Sequence, residues 1–207
     1  LKAAVIGVGG ISNEHINGYI KNENVDLYAF CDINEAQLKK MAEKYGVPAE
    51  RCFLDKDEML KALPEIDIVS VCTWNAAHAE CSIAALNAGK DVICEKPISL
   101  DINDVNRVYA TAEKNNVKFM IAQVLRFWPE YELLKEIFYT EKYGKLLSGT
   151  MTRLGCYPKW SWDGWMMDEK RSGLTPFDLH IHDLDFMVYA FGAPKKVAHQ
   201  YRSKRPD

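Results

Sequence analysis

Two pairs of side chains and one run of glycines have the types and spacing to do chemistry. The pair Glu95-Lys96 precedes Pro97 at the end of an apolar run, DVICEKP (91–97). An ammonium held there can donate to a hydroxyl or to a developing alkoxide, and its charge favours loss of the hydroxyl proton. A surface salt bridge at a strand end would look the same. The other pair, Asp178 and His182, lies in LTPFDLHIHDLDFMVYAF (174–191). There Leu174, Phe177, Ile181, Leu184, Val188 and Phe191 recur at steps of three and four, which predicts one amphipathic helix. Asp178, His182, Asp185 and Tyr189 run beside that stripe, so Asp178 and His182 are expected one turn apart on one face. An imidazole with a carboxylate one turn away has the parts of an oriented general base. Spacing alone is equally compatible with a structural histidine and a solvated acidic face. His180 lies about 200° around from His182 and is read as structural.

The glycines form Gly7-Val8-Gly9-Gly10-Ile11-Ser12 after the first apolar run. In such a turn Gly7 permits the sharp bend, Gly9 lets the backbone approach a pyrophosphate, and Ser12 fills a small third position where helix and strand pack. The next helix then points its N-terminus at the phosphates. About 20 residues further on, Asp32 ends the second apolar run, where an acidic side chain accepts ribose hydroxyls and repels a 2′-phosphate. No Arg or Lys follows until Lys39, so NAD is expected rather than NADP. The competing use of Asp32 is to cap the helix that starts near Asn34.

These residues need a scaffold, and the pattern around them supplies one. Strand-like runs at 3–8, 25–32, 51–53, 67–73, 91–97 and 118–122 alternate with helical patterns near 11–22, 34–45, 56–62, 76–89 and 101–115. Continuous apolar strands such as IVSVC imply burial on both faces, and the alternation predicts an α/β doubly wound parallel sheet over 1–122. After residue 122 the rhythm changes. A helix is expected over 126–139, a strand over 145–155, an aromatic loop over 156–170, the helix 174–191, and a strand over 195–204. Two strands are too few for a stable sheet, so 123–207 is expected either to be the incomplete first part of a C-terminal α+β domain with an open sheet or to pair with something else.

Taken in order, these motifs resemble the glucose–fructose oxidoreductase / inositol dehydrogenase (Gfo/Idh/MocA) family. The resemblance is carried by the glycine turn, Asp32, Thr73-Trp74-Asn75 with His78, Glu95-Lys96-Pro97, Gln123 before Arg126-Phe127, and Asp178-x-x-x-His182. Trp74 stands where many members carry proline, and Ser172-Gly173 replaces a frequent Gly-Gly. The resemblance implies catalytic Lys96, Asp178 and His182. His182 would take the hydroxyl proton while the carbinol hydride goes to the nicotinamide, Lys96 would stabilise the oxygen, and Asp178 would hold the substrate or tune the imidazole. It implies a cofactor cleft lined by Gly7, Gly9, Gly10 and Ile11, by Asp32, Thr73, Asn75 and His78, and by Glu95, Lys96 and Gln123. The implied activity is NAD(P)-dependent oxidation of a secondary alcohol of a sugar, sugar derivative or cyclitol. The alternatives are an NAD-dependent glycosidase of the same family and a non-catalytic dinucleotide-binding regulator. By the same analogy the chain is expected to form a homodimer or homotetramer through the C-terminal sheet.

One further cluster is aromatic. Tyr157, Trp160, Trp162 and Trp165 are interleaved with Lys159 and Asp163. Such a loop suits a small polyhydroxylated substrate, whose C–H faces pack on aromatic rings; it equally suits a hydrophobic plug or an oligomer contact. Composition excludes other classes. Among 207 residues, 48% are hydrophobic and 27% charged, and 26 basic against 29 acidic side chains leave a net charge of −3. That balance argues against disorder and against a nucleic-acid partner. No apolar run approaches the roughly 20 residues of a membrane span, and the start is not a signal peptide. The six cysteines form no CxxC pair and no metal site is expected; buried free thiols and a reducing, cytoplasmic compartment fit their placement. A start at Leu1 and a stop at the charged SKRPD tail read as a fragment.

Overall fold

A computed structural model of the chain describes residues 1–156 and 158–200. The chain divides into two compact units: Leu1–Gln123 with Gly155–Ile181, and Val124–Leu154 with His182–Asp207.

The first unit alternates strand and helix as the sequence predicts. In chain order it runs β1 (Lys2–Ile6), α1 (Ser12–Ile20), β2 (Asp26–Cys31), α2 (Glu35–Tyr45), β3 (Cys52–Phe53) and α3 (Lys56–Ala62). It continues with β4 (Ile68–Val71), α4 (His78–Asn87), β5 (Asp91–Cys94), α5 (Ile102–Asn115) and β6 (Phe119–Ile121). All neighbouring strands are parallel, in the order β3-β2-β1-β4-β5-β6. Val5 of β1 sits between Phe30 of β2 and Ser70 of β4, and Val71 of β4 pairs with Cys94 of β5.

The strands are apolar throughout because each face has its own core. Ala4, Ile6, Val69 and Val71 pack with Leu86 of α4 and Val108 of α5. Val5 and Phe30 pack on the other side with Ile16 of α1 and Leu38 and Met41 of α2. Successive strand side chains alternate in direction, so a run such as Ala4-Val5-Ile6 feeds both cores at once. Several helix starts are set by short polar side chains. Asn34 accepts from the Gln37 amide, Asp55 from Asp57 and Glu58, and Asp101 from Asn103. Each cap contributes about 1 kcal/mol. Strand order reverses between β1 and β4, which opens a crevice beyond their carboxyl ends, where open α/β sheets bind ligands.

The first unit also contains α7 (Glu169–Ser172) and α8 (Leu174–Asp178), preceded by an irregular 3-10 turn over Trp162–Met167. The helix expected over 174–191 is broken. It ends at Asp178 and restarts as α9 (Ile181–Phe191). The Thr175 carbonyl accepts two amides, Leu179 at 3.1 Å and His180 at 2.8 Å, a widened turn that interrupts the helical phase. A single continuous helix over 174–191 is therefore not formed.

The second unit is thinner. Helix α6 (Pro129–Thr140) and α9 enclose Leu125, Phe186 and Ala190, with Tyr131 edge-on to Phe186 at 4.7 Å. Two paired charges tie it together: Arg126 grips both carboxylate oxygens of Asp185, and Arg153 both of Asp183. Bidentate pairs of this kind fix geometry as well as add energy. The segment 145–155 forms no strand, and neither does 195–200; residues 201–204 of the second expected strand lie outside the described residues. A strand is held by a partner's ladder, and among the described residues neither segment has one.

Candidate functional site

The glycine turn follows β1 directly. Gly7 has φ of +86°, and a Cβ there would lie 2.7 Å from the Cys72 carbonyl carbon at the end of β4. Glycine is thus required at this position by the protein itself. At Gly9 and Gly10 an added Cβ would meet nothing within 4 Å, so the fold alone makes no such demand there. Bare backbone facing open space is what a bulky ligand approaching the main chain needs. Ser12 is fully buried and its hydroxyl donates to the Gly9 carbonyl at 2.7 Å, fixing the turn against α1. No side chain caps the start of α1; its Asn13 and Glu14 amides donate to the Gly10 and Ile11 carbonyls at 3.4 and 3.0 Å.

Asp32 lies after β2. Its Oδ2 accepts the Val8 amide and its Oδ1 the Asn34 amide, each at 2.8 Å. The cap of α2 is Asn34, so Asp32 is held beside the glycine turn rather than spent on the helix. Gln37 donates to the Val8 carbonyl at 2.7 Å and completes this corner. Gly7, Gly9, Gly10, Ile11, Asp32 and Thr73 all line one cavity of about 480 Å³. Trp74 lines it too, as do Trp160, Trp162 and Trp165 from the aromatic segment; Tyr157 lies outside the described residues. Trp160 and Trp162 are exposed and Trp165 is half-buried. A cation also reaches the cavity. Lys56 is paired with Glu80 at 2.8 Å, and that hydrogen bond, against the opposing effect of burial, pushes its ammonium above the ordinary lysine value.

Beyond β5 the Lys96–Pro97 peptide is cis. Lys96 Nζ donates to the Asp178 backbone carbonyl at 2.5 Å and to Asp178 Oδ1 at 3.3 Å. Asn75, only 2% exposed, donates to the Ser172 carbonyl at 2.8 Å and to the same Asp178 oxygen at 3.3 Å. Lys96, Asn75 and Asp178 therefore form one cluster, with Asn75 turned toward the chain rather than toward the cavity. His78 is buried with Nδ1 2.6 Å from the Pro97 carbonyl and Nε2 3.1 Å from that of Thr73. Burial pushes this imidazole below its ordinary value despite both carbonyls, and the ring bridges the ends of β4 and β5. Gln123 is buried at the end of the unit, and its Oε1 has no hydrogen-bond partner among the described residues. His182 is the second residue of α9 and belongs to the other unit.

Glu95 has partners that no motif announced. His15 Nε2 is 3.1 Å from Glu95 Oε1, and the Lys96 amide donates to Oε2 at 3.1 Å. Burial raises the Glu95 carboxyl, but the His15 hydrogen bond and charge, with the Lys96 amide and ammonium, outweigh it and hold the group below the ordinary carboxylate value. The signal was present in α1. Ser12, Ile16 and Tyr19 mark its inner stripe, and a histidine beside that stripe faces the sheet. The cysteines are free, and burial pushes Cys31 and Cys94 up to about 12, where a thiolate nucleophile is not formed.

Comparison with known proteins agrees with this geometry. The family model described as "Oxidoreductase family, NAD-binding Rossmann fold" (GFO_IDH_MocA) matches residues 1–123, and the "GFO/IDH/MocA C-terminal domain" matches 131–207. Myo-inositol 2-dehydrogenase of Thermotoga maritima is 33% identical over 193 residues, covering 93% of this chain and 55% of that protein. D-glucoside 3-dehydrogenase of Escherichia coli is 30% identical over 195 residues, covering 94% and 55%. A crystal structure of a probable dehydrogenase from Thermotoga maritima superimposes with a TM-score of 0.78 at 31% identity, covering 93% of this chain and 55% of that one. The chain thus spans about half the length of the curated relatives it matches.

Proposed function

Because the chain belongs to the Gfo/Idh/MocA family of NAD-binding Rossmann-fold oxidoreductases, we propose that it supplies the cofactor site and part of the substrate site of a dehydrogenase for a secondary alcohol of a sugar, sugar derivative or cyclitol. In this reading residues 1–122 bind the dinucleotide and 123–207 begin the substrate domain. The observation that carries it is the glycine turn and Asp32 lining one cavity, in the unit where Lys96 meets Asp178.

The residues present fit a dinucleotide. The open backbone at Gly9 and Gly10 and the uncapped α1 receive the pyrophosphate, and the Asp32 carboxylate accepts ribose hydroxyls. Two backbone amides pin that carboxylate in place, and its charge opposes a 2′-phosphate, which favours NAD over NADP. Bound NAD supplies a hydride acceptor; the protein orients the alcohol and manages its proton. Lys96 donates to the reacting oxygen and lowers the cost of its negative charge. Asp178, fixed by Lys96 and Asn75, holds a neighbouring hydroxyl, and His182 takes the proton. The tryptophans of the cavity present flat faces to sugar or cyclitol C–H groups.

A panel of inositols, aldoses and methyl glucosides with NAD and NADP, run on the full-length protein and followed by NADH absorbance, tests this reading. Lys96→Ala and His182→Ala are each expected to lower turnover by about 10²–10⁴-fold, with far smaller changes in NAD affinity. Variants as active as the parent would remove both roles.

A further inference from the structure

A line of polar side chains lies behind Lys96, and of its members only Glu95 has been given a part above, as an expected wall of the cofactor cleft. Tyr19 and His15 come from α1, Ser70 from β4, and Glu95 from the end of β5. Tyr19 Oη is 2.6 Å from Ser70 Oγ, and Ser70 Oγ is 3.0 Å from His15 Nδ1. His15 Nε2 reaches Glu95 Oε1 at 3.1 Å, and Glu95 Oε2 accepts the Lys96 amide at 3.1 Å. The His15 and Glu95 side chains are 10% and 8% exposed.

The order serine, histidine, carboxylate has the parts of a nucleophilic triad. Ser70 is fully buried, however, and its oxygen is already engaged by Tyr19, so no substrate reaches it. A different use fits. An ionised carboxylate only accepts hydrogen bonds, so His15 Nε2 carries the hydrogen between them. Ser70 and Tyr19 fix the other ring nitrogen and thereby the plane of the imidazole. One Glu95 oxygen is then committed to His15, and the other is aimed at the main chain from which the Lys96 side chain departs. Without the imidazole, a buried carboxyl is driven to neutralise or rotate, and the Lys96 amide loses its acceptor.

We propose that His15 is a positioning residue that acts on Lys96 through Glu95. The proposal rests on the reading of Lys96 as the group that polarises the substrate hydroxyl.

Its test combines hydrogen exchange at single-residue resolution with steady-state kinetics of NAD-dependent myo-inositol oxidation, both on the full-length protein. His15→Ala is expected to speed exchange at the Lys96 amide by about tenfold or more, while Val92 and Cys94 within β5 keep their protection. The same variant lowers kcat by about tenfold with KM and NAD affinity little changed, the mark of misplacement rather than lost binding. His15→Gln, whose amide can take the place of Nε2, recovers both readouts; His15→Asn, too short to reach Glu95, recovers neither. Unchanged exchange at Lys96, or faster exchange with an unaltered kcat, overturns the proposal, as does equal recovery by His15→Asn and His15→Gln. If Lys96→Met oxidises substrate as fast as the parent, the role of Lys96 falls instead. The exchange measurement needs no substrate, so it decides on the clamp even if myo-inositol is not turned over.

Discussion

Gly7 and Gly9 stand two residues apart in one turn, and the structure assigns them opposite sensitivities. At Gly7 an alanine must hold φ of +86° and place its Cβ 2.7 Å from the backbone of Cys72. The left-handed backbone costs about 1–2 kcal/mol. Forcing a central strand end aside adds about 1–3 kcal/mol, since main chain cannot swing away as a side-chain tip can. Gly7→Ala is therefore expected to lose about 2–5 kcal/mol of a total near 5–15 kcal/mol. With a urea slope of about 2 kcal/mol/M, the unfolding midpoint falls by about 1–2.5 M. At Gly9 the same methyl meets no protein atom within 4 Å and φ is not positive. Gly9→Ala is expected to unfold within about 0.5 kcal/mol of the parent. Its methyl would project into the space assigned to the pyrophosphate, and NAD affinity should drop by about tenfold or more, a loss of about 1.4 kcal/mol. Urea unfolding followed by circular dichroism and calorimetric NAD titration separate the two effects. A Gly9→Ala protein that is stable and binds NAD as the parent does would refute the placement of the cofactor on this turn. One that is as unstable as Gly7→Ala would refute the account of the turn itself.

Asp32→Ala removes the carboxylate that faces the cavity. Losing a charged hydrogen-bond acceptor is worth about 1.5–3 kcal/mol, so NAD binding should weaken by about 10–100-fold, with the NADP-to-NAD affinity ratio rising in parallel titrations. Glu95 predicts a pH signature. Its folded-state pKa is depressed, so its stabilising contribution is present above the unfolded value of about 4.3 and disappears as pH falls through the lower folded value. The stability advantage of the parent over Glu95→Gln, read by thermal melts, is expected to hold at pH 6–8 (about neutral) and to shrink steadily below about pH 4. An advantage that grows on acidification would reverse the sign of this linkage.

The parallel sheet was readable in the sequence because local and global signals agree there. Runs such as IVSVC are apolar on both faces, and residues such as Asn34, Asp55 and Asp101 announce the helices between them. That the glycine turn and Asp32 come together on one cavity was readable because the strand–turn–helix–strand segment from Gly7 to Asp32 has a fixed spacing. What spacing could not reveal lies in contacts between distant parts of the chain. The stripe from Leu174 to Phe191 keeps its period across the break at 179–180, yet the Asp178 carbonyl is taken by Lys96, more than eighty residues earlier. His15 offered a polar residue beside an inner helical stripe, but only the approach of β4 and β5 shows what it holds. Asn75 is expected by position to line the cofactor cleft, and what its position could not reveal is that its amide donates to Ser172 and Asp178. The strands expected in 145–155 and 195–204 depend on neighbours that a propensity cannot provide.

The return of Gly155–Ile181 to the first unit has a practical consequence for anyone dividing this gene. A boundary drawn after residue 123, where the family model for the Rossmann part ends, would amputate one wall of the cavity at the glycine turn along with the carboxylate that neutralises Lys96. The remnant would retain the glycines of the turn and Asp32, yet leave the Lys96 ammonium and the Asn75 amide without Asp178. In this chain the compact unit around Lys96 and Asp178 is contiguous in space and split in sequence, so the module that can be copied as one piece of DNA is not the module that packs as one piece of protein.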